Sequence, residues 1–231
     1  MSVRYLSKKR GFAKAANNIN GIPIEENMKE KVFVDMFAYE NSLLAEGVKL
    51  VCGVDEAGRG PLAGPVCAGA FIPDLAKIVD GVNDSKKLTP KKRDYLYDLV
   101  KESAISSATA FVAADVIDEI NILEATKLAM RNAVKALSPS PEAALIDAVK
   151  LDLPVRVLPI IHGDALSYSI AAASILAKVE RDRLMLEYAE KYPEYGFESH
   201  KGYGSAHHIE MLRKYGPCPI HRATFIKNFF K

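Results

Sequence analysis

The chain has 231 residues, enough for one large core with an appendage. A hydrophobic fraction of 49% and a charged fraction of 26% are ordinary for a globular protein. No run approaches the roughly 18 apolar residues of a membrane span. Net charge is only +2, so partner preference has to be read from local charge.

Residues 1 to about 20 are basic and asparagine-rich, with Arg4, Lys8, Lys9, Arg10 and Lys14, and read as a flexible arm. Gly21 and Pro23 mark a linker. From Met28 to about Glu46, Val32, Phe33, Met36, Phe37, Tyr39, Leu43 and Leu44 recur at near-helical spacing and predict one or two helices. Leu50-Val51-Cys52 predicts a buried strand, a glycine-rich turn follows, and Val66 to Ile72 predicts a second strand. Thr89 as N-cap with Pro90 at the first position starts a helix to about Glu102, burying Leu96, Leu99 and Val100. A strand near Ile105 to Val112 comes next. Asn121, with Glu124 three residues on, opens a helix with Leu123, Met130, Val134 and Leu137 on its apolar face. Ala143 to Asp147 and Val155 to Ile161 predict two more strands. After Asp164 a long helix carries Ala171, Ala172, Ala173 and Ser174, small enough for close packing on a sheet. From Tyr192 the chain is rich in Tyr, His, Gly and Pro, with a short helix near His207 to Lys214. This order of elements is that of an α/β layered domain with a mixed sheet.

Asp55, Glu56, Asp147 and Asp164 each stand at or just past the end of an apolar run. Neighbouring strands would bring them to one sheet edge, where ligand sites gather. Four carboxylates in one cleft repel unless cations neutralise them, and a hard oxygen-rich site suits magnesium or manganese. Strand alternation sends Asp55 and Glu56 to opposite faces, so Glu56 joins the others only if extended geometry breaks near Gly58. Taken singly, Asp164 suits a helix cap and Asp147 a turn. Glycines around Arg59 let the backbone approach an anionic ligand closely. Lys86, Lys87, Lys91, Lys92 and Arg93 form one basic group and Lys178, Arg181 and Arg183 another, suited to phosphates or to a solvated face.

The stretch from Asp55 to Val66 resembles the signature of ribonuclease HII, the type 2 ribonuclease H family. The likeness continues through Asn83 to Leu88, Asn121 to Leu123, Gly163-Asp164, Ile170 to Val179, Arg181-Asp182, His200 to Gly204 and His221-Arg222, covering about residues 40 to 226. It implies a ribonuclease H-like, mixed five-stranded sheet flanked by helices, with a helical C-terminal region. It divides the chain into a basic and helical extension (1–45), a catalytic core (46–190) and a substrate-binding helical region (191–231). It implies an endonuclease that cuts the RNA strand of RNA–DNA hybrids and cuts 5′ of single ribonucleotides in duplex DNA, leaving 3′-hydroxyl and 5′-phosphate ends. Asp55, Glu56, Asp147 and Asp164 would be the metal-binding catalytic acids, with Mn2+ or Mg2+ as cofactor. Gly58, Arg59 and Gly60 would read the 2′-hydroxyl, which separates RNA from DNA. Tyr203 would stack on a sugar, and Asn83, Ser85, Lys86, Lys178 and Arg181 would contact phosphates. Two departures stand out: His162 replaces a usual lysine, and Ser205 a common threonine.

Cys52, Cys67 and Cys218 have no CxxC spacing, which fits reduced thiols and a cytoplasmic location; the protein is expected to be a monomer with no membrane partner. His200, His207, His208 and His221 fit no common zinc pattern and are expected in capping or surface roles. Phe225, Phe229 and Phe230 suit either a packed terminal helix or a docking peptide for a sliding clamp.

Overall fold

A computed structural model of the protein describes residues 34–230. The basic arm, the linker, Val32 and Phe33 lie outside them. Five strands form one sheet in the order β3-β2-β1-β4-β5: β1 (Val51–Ala57), β2 (Val66–Pro73), β3 (Ala104–Val112), β4 (Ala143–Asp147) and β5 (Arg156–Ile160). The first three are antiparallel neighbours, while β4 runs parallel to both β1 and β5. The sheet is therefore mixed, as expected. β1 and β4 end side by side, which places Asp55 and Asp147 at the same edge.

The two faces are covered differently. Cys52 and Val54 of β1 pack with Ala129, Met130 and Ala133 of α4 (Ile122–Lys135). The other face lies under α5 (Tyr168–Lys191), where Ala171, Ala172 and Ala173 are fully buried. A Cβ on Gly53 would lie 2.0 Å from the Ser169 carbonyl carbon, and one on Gly69 would lie 2.3 Å from the Ala173 oxygen. Glycine on the strands and alanine on the helix together let the α5 backbone rest directly on β1 and β2. The N-terminus of α5 is capped by Ser167, whose Oγ accepts from the Ile170 amide, so Asp164 is not the cap.

α2 (Pro90–Ser103) starts at Thr89 as expected, with Oγ1 accepting from the Lys92 amide. Its buried side is Arg93, Leu96, Tyr97 and Val100, and Leu99 is only half-buried. In α4, Asn121 accepts from the Leu123 and Glu124 amides, but Leu123 itself is exposed. Small residues Ala125, Ala129 and Ala133 fill that face instead. A short helix absent from the sequence reading, α3 (Ala114–Ile120), precedes α4, and Asn121 at φ 67° turns the chain between them. α1 (Ala38–Ala45) places Leu43 against Val51, Leu145 and Ile170, and its buried Glu40 accepts from Ser167 and Ser169. After α5 come α6 (Phe197–His200), α7 (Ala206–Tyr215) and α8 (Ala223–Ile226). Among the described residues, no helix is long and apolar enough to cross a membrane.

Candidate active site

Three acids converge at the sheet edge. Asp55 from β1, Asp147 from β4 and Asp164 from a 3-10 turn at Gly163–Ala165 each bring a carboxylate oxygen within 4.8 Å of the others. The Gly163 amide donates to Asp147 Oδ1 at 2.7 Å, so the Asp164 turn is tied to the end of β4. Asp55 Oδ1 accepts from the Glu56 amide at 2.7 Å. Burial pushes the Asp55 carboxyl well above the usual range, and repulsion from Glu56, Asp147 and Asp164 adds to it. Asp164 is raised as well, by burial first and then by Asp84 and Asp147.

Glu56 is only partly in this group. β1 stays paired with β2 through Ala57, so the break in extended geometry does not come before Glu56. Its phase is that of Cys52 and Val54, on the α4 face, and Oε1 pairs with Arg59 Nη1 at 3.5 Å. Even so, Oε2 is buried with no partner, and Asp147 helps raise the Glu56 pKa, after burial has raised it most. An orphaned carboxylate oxygen beside three crowded acids is the donor set of a hard divalent cation.

Asp84 is an acid of this edge that the sequence reading did not single out. It packs against Asp164, and its Oδ1 accepts from the Lys86 amide, while Lys86 Nζ reaches Asp164 Oδ2 at 3.5 Å. Its position in a basic loop beside Asn83 was the available signal. Asn83 and Lys86 are exposed at the cleft, whereas Ser85 is buried, its amide donating to Ser174 Oγ.

Two residues expected at phosphates have partners within the protein. Lys178 is half-buried and its ammonium sits 2.7 Å from Asp182 Oδ1. Arg181 is fully buried, and its guanidinium donates to the carbonyls of Pro65, Lys201 and Ala63. Arg93, read as part of a basic surface group, is likewise buried, donating to Ser85 and Leu88 oxygens.

The loop after β1 turns at Gly58, φ +95°, where a Cβ would strike Arg181 Nε at 2.0 Å. Arg59 and Gly60 are exposed. Among the described residues, the Gly58, Arg59 and Gly60 amides find no acceptor in the protein. A Cβ on Gly60 would lie 3.6 Å from the Tyr203 ring, which is 45% exposed, so ring and loop form one surface. His162 is exposed in left-handed geometry at φ 58°.

Of His200, His207, His208 and His221, expected in capping or surface roles, only His207 is exposed. His208 Nδ1 lies 2.8 Å from the Tyr203 oxygen, and its Nε2 lies 3.1 Å from His221 Nε2. Because a carbonyl only accepts, His208 must be protonated at Nδ1 and His221 at Nε2. His221 Nδ1 then accepts from the Cys218 amide. Burial pushes both imidazoles down to about 4, so they serve as neutral hydrogen-bonding core. Phe225 packs partly buried against the α4 side, while Phe230 is 50% exposed.

Residues 52–231 match the family model described as Ribonuclease HII. Ribonuclease HII of Caldicellulosiruptor bescii is 55% identical over 83% of this chain and 94% of its own length. Among solved structures, ribonuclease H2 of Pyrococcus horikoshii superposes with a TM-score of 0.67 at 30% identity, covering 79% of this chain and all of that one. A PCNA:RNase HII complex from Archaeoglobus fulgidus gives 0.63 at 26% identity, over 75% of this chain and 94% of that one. Sequence match, sheet order and acid cluster agree: the chain belongs to the ribonuclease HII family, enzymes of the ribonuclease H class that cut the RNA strand of RNA–DNA hybrids.

Proposed function

We propose that this ribonuclease H also cuts on the 5′ side of single ribonucleotides embedded in duplex DNA, leaving 3′-hydroxyl and 5′-phosphate ends. The observation that carries this reading is the surface formed by the free Gly58–Gly60 amides and the Tyr203 ring, joined to Glu56 through Arg59. Those amides donate to the 2′-hydroxyl of one ribonucleotide, and the ring stacks on the neighbouring deoxyribose. One ribose is then enough for recognition, and no run of RNA is needed. Exposed Asn83 and Lys86 meet the adjoining phosphates, where an ammonium and an amide serve as donors.

Asp55, Asp147 and Asp164, with Glu56 from the side, hold Mg2+ or Mn2+. The chemistry such a cation would supply there is activation of water and stabilisation of charge on the leaving oxygen. Lys86 is held by Asp164 and Asp84 close enough to steady a phosphate as charge builds there. On this reading residues 46–190 carry the chemistry, and 191–231 bring Tyr203 to the substrate.

A DNA duplex containing one ribonucleotide, incubated with the protein and manganese, tests the proposal. Cutting 5′ of that residue, with a ligatable 3′-hydroxyl, is the expected result. Binding without cutting points instead to a non-catalytic hybrid-binding protein, and cutting of hybrids alone sinks the embedded-ribonucleotide reading.

A further inference from the structure

Two arginines are fully buried, and among the described residues neither lies within 4.0 Å of a carboxylate. Arg222 donates from Nε to the Gly64 oxygen at 2.9 Å, from Nη1 to Arg59 at 2.8 Å and from Nη2 to Gly58 at 2.6 Å. Arg181 donates from Nε to Pro65 at 2.9 Å, from Nη2 to Ala63 at 3.3 Å and from Nη1 to Lys201 at 3.1 Å. Six carbonyls thus solvate two guanidiniums, and five of the six belong to residues 58–65.

A buried charge with no carboxylate in contact is costly even with Asp182 near Arg181 and Asp118 near Arg222, and two charges of the same sign near each other cost more. Burial and then the neighbouring Arg181 lower Arg222 to about 9, and it remains charged at neutral pH. Apolar side chains would fill the same space without that penalty. The charges make sense if something negative arrives on the far side of the loop. The local geometry agrees: the carbonyls of Gly58 and Arg59 are turned inward, while their amides and that of Gly60 have no protein acceptor among the described residues.

We propose that Arg181 and Arg222 are positioning residues for the substrate. They draw the carbonyls of residues 58–65 inward, so that the loop presents free amides and two fixed positive charges to a ribose and its phosphates before either binds. This rests on the reading that the Gly58–Gly60 amides meet the 2′-hydroxyl. Arg181 extends the arrangement to Tyr203: it holds the Lys201 carbonyl, and its guanidinium carbon lies 6.0 Å from the Tyr203 ring centre.

The test compares binding to a duplex with one ribonucleotide and to the all-DNA duplex of the same sequence, in an Asp55→Asn background that does not cut. That background is expected to prefer the ribonucleotide by roughly tenfold, the worth of one well-placed hydrogen bond or a little more. Adding Arg222→Lys replaces a three-donor fork by one ammonium that cannot hold Gly58, Arg59 and Gly64 at once. The preference should then fall by about three- to tenfold, with affinity for all-DNA duplex changed less. A folded Arg222→Lys protein that keeps the full preference overturns the inference. No preference in the Asp55→Asn background alone overturns the underlying reading of the loop. Should the lysine variant not fold, amide order parameters of the substrate-free, wild-type protein decide the matter. Values near about 0.85 at Arg59 and Gly60 support a preset loop, and values below about 0.6 overturn it.

Discussion

Asp55→Asn isolates the cost of the acid cluster, because it removes one charge and keeps the shape. The Asp55, Asp147 and Asp164 oxygens lie within 4.8 Å of one another. At an effective dielectric constant of about 20, a pair of charges at that spacing repels by about 3.5 kcal/mol. The raised Asp55 pKa shows that protonation already relieves part of this, so the metal-free variant should gain about 1–3 kcal/mol near pH 8. For a chain of this size that is an increase in Tm of upwards of about 2 °C. The gain has a defined pH dependence. Folded Asp55 keeps its proton at a higher pH than the unfolded chain does, so metal-free wild-type stability declines as pH rises from the ordinary carboxylate range through the raised value. The variant lacks that slope, and its advantage should vanish toward pH 4. Thermal melts in a chelator at pH 8 and pH 4.5, repeated with manganese, provide the assay. The wild type should gain far more from manganese than the variant, and the variant should not cleave. A variant no more stable than wild type without metal at pH 8, or equally advantaged at both pH values, would show that the carboxylates do not crowd as described.

Other substitutions probe separate parts of the site. Tyr203→Ala should leave stability within about 0.5 kcal/mol, since the ring is half exposed, yet slow cutting at single ribonucleotides by about five- to a hundredfold through lost stacking. An unchanged rate on that substrate, in a gel-based cleavage assay, contradicts stacking. Proton NMR titration of His208 and His221 should show neither ring charging until pH approaches about 4. Their contribution to stability, full above the ordinary histidine range, is lost as pH falls from about 6.5 toward 4. Either ring titrating near 6.5 would contradict their burial and fixed tautomers.

What the sequence made legible was mostly local. β4 at Ala143–Asp147, the Thr89-Pro90 helix start and the Asn121 cap were readable because apolar runs and capping residues act over a few positions. The convergence of Asp55, Asp147 and Asp164 followed from strand ends meeting at one edge. The surroundings of Arg181 and His208 were not legible, for a shared physical reason. Their partners are backbone carbonyls, at Ala63 and Pro65 for one and at Tyr203 for the other, and carbonyls leave no trace in residue types. A basic or histidine-rich stretch looks the same in sequence whether its charges face phosphate or its nitrogens hold a loop. The family resemblance supplied the role of Tyr203, while only the fold shows what holds that residue in place.

The acids, in turn, depend on how closely α5 approaches the sheet. Asp164 is carried by the turn just before α5, and Gly53 lies two residues before Asp55 on the same face of β1. The same contact that packs the core therefore sets the distance between two of the carboxylates. Gly53→Ala tests this coupling: its Cβ would meet backbone atoms of Ser169 and Ile170 at 2.0 to 2.3 Å, where no side-chain rotation relieves the clash. Either helix or strand must move, at about 1–3 kcal/mol or more, which lowers Tm by roughly 2 to 12 °C. The larger effect should be on metal binding. A displaced α5 start moves Asp164 away from Asp55, so the melting-temperature gain on adding manganese should shrink more than stability itself does. Repacking that restores wild-type manganese stabilisation despite the added methyl would mean that the acids are placed by the strands alone, and that the pressure of α5 on β1 serves only the core.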